Sequence, residues 1–154
     1  MKKDISRFLL LALCSLLFFS SCSLPRIHIL KDPLTPQEHL NLGVTYEKQG
    51  DFENAIREYK LAAPKIPQGY LFLGNVYFQQ GDLDQAEEFY KQALVKEPEN
   101  ADALNNLAWV YYTKRENLDE AEQLAVRATK LNPAKKGIYL DTLEKIRDLK
   151  RQKL

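Results

Sequence analysis

The residues with reactive side chains are mostly acids and tyrosines, and they come in copies. Gln49 to Tyr59 reads QGDFENAIREY and Gln80 to Tyr90 reads QGDLDQAEEFY, so the same Gln-Gly-Asp, Ala and Tyr return 31 positions later. Carboxylates beside a phenol are the raw material of general acid–base catalysis. The groups that would complete such a site are missing. The histidines are His28 and His39, the cysteines are Cys14 and Cys22, and there is no glycine-rich phosphate loop and no cluster with metal-ligand spacing. Glu87, Glu88, Asp119, Glu120 and Glu122 fall on amphipathic runs, where a solvated helix face explains them better than an acid–base pair. The expectation is a protein that is not an enzyme and has no cofactor and no metal.

The copies define the elements. Leu42, Gly43, Tyr46, Gly50, Ala55 and Tyr59 recur as Leu73, Gly74, Tyr77, Gly81, Ala86 and Tyr90, all offset by 31. A third copy offers Leu107, Ala108, Tyr111, Ala121, Ala125 and Ala128 and closes at Pro133. A repeat at this period is the signature of stacked supersecondary units. The pattern resembles the tetratricopeptide repeat, a helix-turn-helix unit. His39, Tyr70 and Leu104 take its first signature position, and Ala62, Ala93 and Ala128 take a late one. Pro67, Pro98 and Pro133 end the units. The resemblance spans roughly residues 35–133.

It implies an all-α chain, an α-solenoid of about three such units plus a C-terminal capping helix. The units are expected at 36–66, 67–100 and 101–134, with the cap at 135–154. Small residues such as Gly43 and Ala55 let paired helices approach, and Tyr46 and Tyr59 fill the space beside the contact. Gly50 and Gly81 follow the first helix of their units, where a positive φ reverses the chain cheaply. Between the first two units, APKIPQGY shortens the junction, and Pro64 and Pro67 should stop the second helix early. In the third unit ten steps separate Tyr111 from Ala121, against nine from Tyr77 to Ala86, so a longer, more exposed turn is expected, with Asn117 standing in for glycine.

Beyond Pro133, apolar Tyr139, Leu143, Ile146 and Leu149 recur at near-helical spacing, as a cap on a solenoid's open end requires. Lys145, Arg147, Lys150, Arg151 and Lys153 make its end basic. A solvated face with cations near a helix C-terminus is favoured over a binding patch. In the family the concave face is lined by first-helix positions between the signature residues. Carried over, they are Leu40, Val44 and Glu47, then Leu71, Asn75 and Phe78, then Asn105, Trp109 and Tyr112. Their four-then-three spacing puts each set on one helical face. Trp109, Tyr112 and Phe78 are not demanded by the repeat; they serve either as packing against the cap or a neighbour, or as aromatic anchors for an extended or helical peptide. Some family members grip a C-terminal carboxylate with Lys, Arg and Asn. Here Leu40, Val44, Phe72 and Asp102 stand at corresponding positions, which argues against a chaperone C-terminus.

The N-terminus reads as an export leader over residues 1–21. A positive start, MKKDISR, precedes the uncharged run Phe8 to Phe19, which is short for a bilayer core of roughly 30 Å. Phe19-Ser20-Ser21-Cys22 resembles the lipobox of bacterial lipoproteins, with Phe where that family usually has Leu. The resemblance implies lipidation at Cys22; cleavage near Ser21 without lipid and an uncleaved anchor are the alternatives. Ser23, not Asp, implies sorting to the outer membrane, facing the periplasm. Residues 22–35 would be a tether reaching roughly 40 Å at about 3.3 Å per residue. Cys14 leaves with the leader, so no disulfide is expected. Removing the first seven residues takes three of 22 basic and one of 21 acidic residues, leaving 19 and 20, with no electrostatic case for nucleic acid. The combined expectation is a lipid-anchored adaptor of the bacterial cell envelope, holding a protein or peptide partner on its concave face, with self-association through its end surfaces as the second reading. Its plan resembles tetratricopeptide lipoproteins of type IV pilus assembly and of peptidoglycan-enzyme organisation.

Overall fold

The computed structural model describes residues 32–152. The leader, Cys22, His28, most of the tether and Lys153 lie outside the described residues. Among the described residues the regular structure is helical: α1 (Pro36–Lys48), α2 (Phe52–Ala62), α3 (Gln68–Gln79), α4 (Leu83–Lys96), α5 (Ala101–Lys114), α6 (Leu118–Leu131), a short 3₁₀ turn (Pro133–Lys135) and α7 (Lys136–Gln152). α1–α2, α3–α4 and α5–α6 are three helix pairs, and α7 packs on α5 and α6. The architecture is an all-α solenoid.

Local chemistry sets the starts. Thr35 and Glu38 form a reciprocal capping box ahead of Pro36, with Glu38 Oε2 accepting from Thr35 N at 2.7 Å. Asp51, Asp82 and Asn100 each accept from the backbone three residues on, so α2, α4 and α5 begin at capped ends. The junction prolines shorten α2 to 11 residues against 14 for α4 and α6, which accounts for the shorter first period. The chain then re-enters the stack at Gly69, where a Cβ would lie 2.8 Å from the Ala63 backbone.

Gly50 and Gly81 adopt φ of 76° and 80°, as expected. The third turn departs from expectation in two ways. All three turns contain three residues, and the extra residue lies in α5, which runs three residues past Tyr111 where α3 runs two past Tyr77. Arg115, not Asn117 alone, takes the glycine's place: Arg115 has φ 58° and Asn117 φ 47°. Left-handed residues outside glycine cost roughly 1–2 kcal/mol each, and packing imposes two of them here.

Two apolar cores meet within α3. Leu73 and Val76 join Leu40, Ala55, Tyr59 and Ala62, while Leu71 joins Tyr90, Leu104, Leu107 and the cap residues Tyr139, Leu143 and Ile146. The capping helix buries the four apolar residues expected of it. Tyr139 Oη also donates to Asp102 at 2.8 Å; burial and then this bond push its phenol up to about 12. Two basic residues of α7 are tied to α6: Arg147 and Lys150 each donate to Glu122 at 2.7 Å, while Arg151 pairs with Asp148 on its own helix.

Candidate functional site

The pairing of α3 with α5 brings Asn75 and Asn106 together. Asn106 Nδ2 donates to Asn75 Oδ1 at 3.0 Å, and Tyr90 Oη donates to the same oxygen at 2.9 Å. Burial pushes the Tyr90 phenol well above its ordinary range, so it stays protonated and remains a donor. With both acceptor directions of Asn75 Oδ1 used, its Nδ2 is left as a donor and Asn106 Oδ1 as an acceptor. These groups border a pocket of about 210 Å³ lined by Asn75, Phe78, Gln79, Tyr90, Asn106 and Trp109. A second hollow of about 400 Å³, lined by Phe78, Trp109, Tyr112, Thr113, Arg115 and Leu149, shares Phe78 and Trp109 with the first. Phe78 and Trp109 border both hollows, which are taken together as the groove: the amide pair lines the first, and Tyr112, Thr113, Arg115 and Leu149 line the second.

Trp109 is half-buried. Its ring lies 4.9 Å from that of Tyr112 at 34°, and Lys145 Nζ of α7 lies 5.2 Å from its centroid. It therefore meets the capping helix and also lines the groove. Glu47 marks the groove's other edge. It accepts from Tyr59 Oη at 2.6 Å and from Gln79 Nε2 at 2.9 Å, so it orients a groove residue while holding its own unit closed. Burial, and then this carboxylate, raise the Tyr59 phenol far above its usual value.

Of the nine positions expected on the concave face, the structure brings Asn75, Phe78, Trp109 and Tyr112 together and places Glu47 at their border. Val44 packs half-buried against the first core. Leu40, Leu71 and Asn105 are corrections: they are 4%, 7% and 7% exposed and belong to the interior. All three fall within the first five residues of their helices and pack into the interior there. Asn105 is buried with its Oδ1 unpaired. The groove is thus built from the second and third units and α7, with the first unit contributing only its edge. Asn106, Gln79, Thr113, Arg115 and Leu149 were missed. Tyr90 serves twice: its ring is core while its hydroxyl reaches the groove floor. Among the described residues no group of three or more His, Cys, Asp or Glu is placed to hold a metal ion.

Comparison with known proteins bears on the units directly. Family models described as tetratricopeptide repeat match residues 38–69 and 100–131, and one described as TPR repeat matches 74–115. No curated protein matches the sequence. Several solved structures share the fold. The TPR2B domain of yeast Sti1 in a pHsp70 complex is 16% identical with a TM-score of 0.68, over 73% of this chain and 96% of that one. The first TPR of Spaghetti (RPAP3), bound to the HSP90 peptide SRMEEVD, is 23% identical at 0.68, over 78% and 96%. The Yersinia enterocolitica type III secretion chaperone SycD, in complex with a peptide of the translocator YopD, is 20% identical at 0.67, over 77% and 94%. With matched segments falling on each helix pair, and glycine–tyrosine contacts closing the first two, the chain is a tetratricopeptide-repeat protein.

Proposed function

We propose that the chain is a non-catalytic adaptor that holds an extended peptide or a helix of a partner protein along the groove formed by α3, α5 and α7. The observation that carries this reading is the amide pair beside the aromatic walls. A peptide bond offers one carbonyl and one N–H, which complement the Asn75 donor and the Asn106 acceptor, while Phe78, Trp109 and Tyr112 supply apolar anchors for a side chain. Fold relatives solved with bound peptides support the same class of occupant. The expected setting is the bacterial envelope, with the chain anchored by lipid at Cys22, facing the periplasm and assisting assembly of an envelope complex. That setting rests on the leader and the lipobox resemblance.

Crosslinking in the native envelope tests the groove. Recovery of the partner should fall about tenfold or more in Trp109→Ala and Phe78→Ala, the loss expected for central aromatic anchors; unchanged recovery from both would sink the proposal. Metabolic labelling with a fatty acid tests the anchor independently, since Cys22→Ala should abolish incorporation, and equal labelling of both chains would remove lipidation from the account.

A further inference from the structure

The capping helix contributes more than cover. Lys145 and Leu149 are four residues apart on α7 and so share a face. Leu149 lines the groove with Phe78, Trp109 and Tyr112, and Lys145 Nζ lies 5.2 Å from the Trp109 ring centroid. A cation is favoured over an indole face, so this position is a low-energy one for the ammonium. The ammonium is also accessible: the Lys145 side chain is 44% exposed, and its carboxylate partner Asp141, one turn earlier on α7, is 60% exposed. An exposed pair of this kind contributes little, and its anion can be exchanged for another.

We propose that Lys145 is a specificity-determining residue that makes the groove select a peptide segment in which an apolar residue is flanked by Asp or Glu. The inference rests on the groove reading above. An apolar side chain entering beside Trp109 brings its neighbours within reach of the Lys145 ammonium. A ligand carboxylate there replaces Asp141 as the partner, whereas a ligand Lys or Arg meets a cation already in possession of the ring face. Arg115, which lines the same end of the groove, adds a second positive group, and Glu47 lies at the opposite edge beyond Gln79. The groove is therefore polar along its length, with its basic end formed in part by the cap.

The test is binding of the full-length chain, in detergent micelles, to an array of random-sequence peptides. Wild type should favour acidic over basic residues next to an apolar one by about fivefold, the scale of a half-exposed ion pair. Lys145→Gln should reduce the preference to within about twofold, Lys145→Arg should keep it, and Lys145→Glu should invert it. The proposal is overturned by the same charge preference in wild type and Lys145→Glu, or by none in wild type. A Trp109→Ala arm separates this from failure of the groove itself: peptides retained equally by Trp109→Ala, or no peptide retained by any chain, would overturn the groove reading and this inference with it. Melting temperatures of the Lys145 variants within a few degrees of wild type secure the comparison, and should Lys145→Glu fold poorly, an unchanged preference in Lys145→Gln overturns the proposal instead.

Discussion

Gly74 and Tyr90 are specified as a pair. A Cβ on Gly74 would lie 2.4 Å from the Tyr90 ring, and one on Gly43 would lie 2.5 Å from the Tyr59 ring. The third unit has Ala108 and Ala125 at the same two positions, adding a methyl where the ring is gone. Gly74→Ala should therefore destabilise by about 1–3 kcal/mol through overpacking, even though alanine favours a helix by about 1 kcal/mol. Tyr90→Ala should cost about 3–5 kcal/mol. Urea denaturation of the double variant should show a loss smaller than the sum of the singles by about 1 kcal/mol or more, since the ring that excludes the methyl is absent. Strict additivity would show that the contact does not exclude the alanine. These positions were legible in the sequence because each residue must fill a space fixed by its own helix pair. Asn105 and Asn106 were not separable in the same way. Which of two adjacent residues reaches a groove and which is covered depends on how neighbouring helices pack over the start of α5, which the periodicity of one helix does not carry.

At the scale of elements, the sequence count revealed an extra residue between Tyr111 and Ala121 but not its location. A turn or a longer helix absorbs it equally well on paper; the structure extends α5 and accepts two left-handed residues, Arg115 and Asn117. The docking of the cap was legible in its apolar stripe, whereas the ion pairs that lock α7 to α6 depend on tertiary register. Glu122 is the centre of that lock: hydrogen bonds from Lys150 and then Arg147 hold its carboxyl below the ordinary 4.5. Glu87 is also depressed, with burial opposed and outweighed by bonds from Lys114 and Lys91, as is Glu58, where His39 and Arg57 outweigh burial. A depressed folded value means the folded state binds protons less readily than the unfolded chain. The stabilisation is thus present above about pH 4.5 and is lost as pH falls through the folded values. Melting curves taken between about pH 7 and pH 3 should show Glu122→Gln less stable than wild type near neutrality, with the two converging in acid. A gap independent of pH would mean that the lock contributes nothing through charge.

At the scale of the molecule, stability in a stack comes from each unit and from its contacts with the next, so a chain of this kind need not unfold as one. The division of α3 between two cores gives that principle a specific seam here: Leu73 and Val76 serve the first unit, and Leu71 serves the second and third with the cap. The sequence also supplies a one-sided reporter, because Trp109 is its only tryptophan and sits in the third unit against the cap. Gly43→Ala forces a methyl against Tyr59 on the far side of the seam and should weaken the first unit by about 1–3 kcal/mol. On heating this variant, helix content followed by circular dichroism should begin to fall several degrees before Trp109 emission changes, because α1 and α2 leave while the second core stays closed. In Gly74→Ala, which loads the second core itself, the two signals should move together. Coincident transitions in Gly43→Ala would instead mean that Tyr70, Phe72 and Tyr77, which touch both cores, bind the units into a single cooperative block. Separation would leave the groove, built on the second core and α7, standing after the first unit has opened.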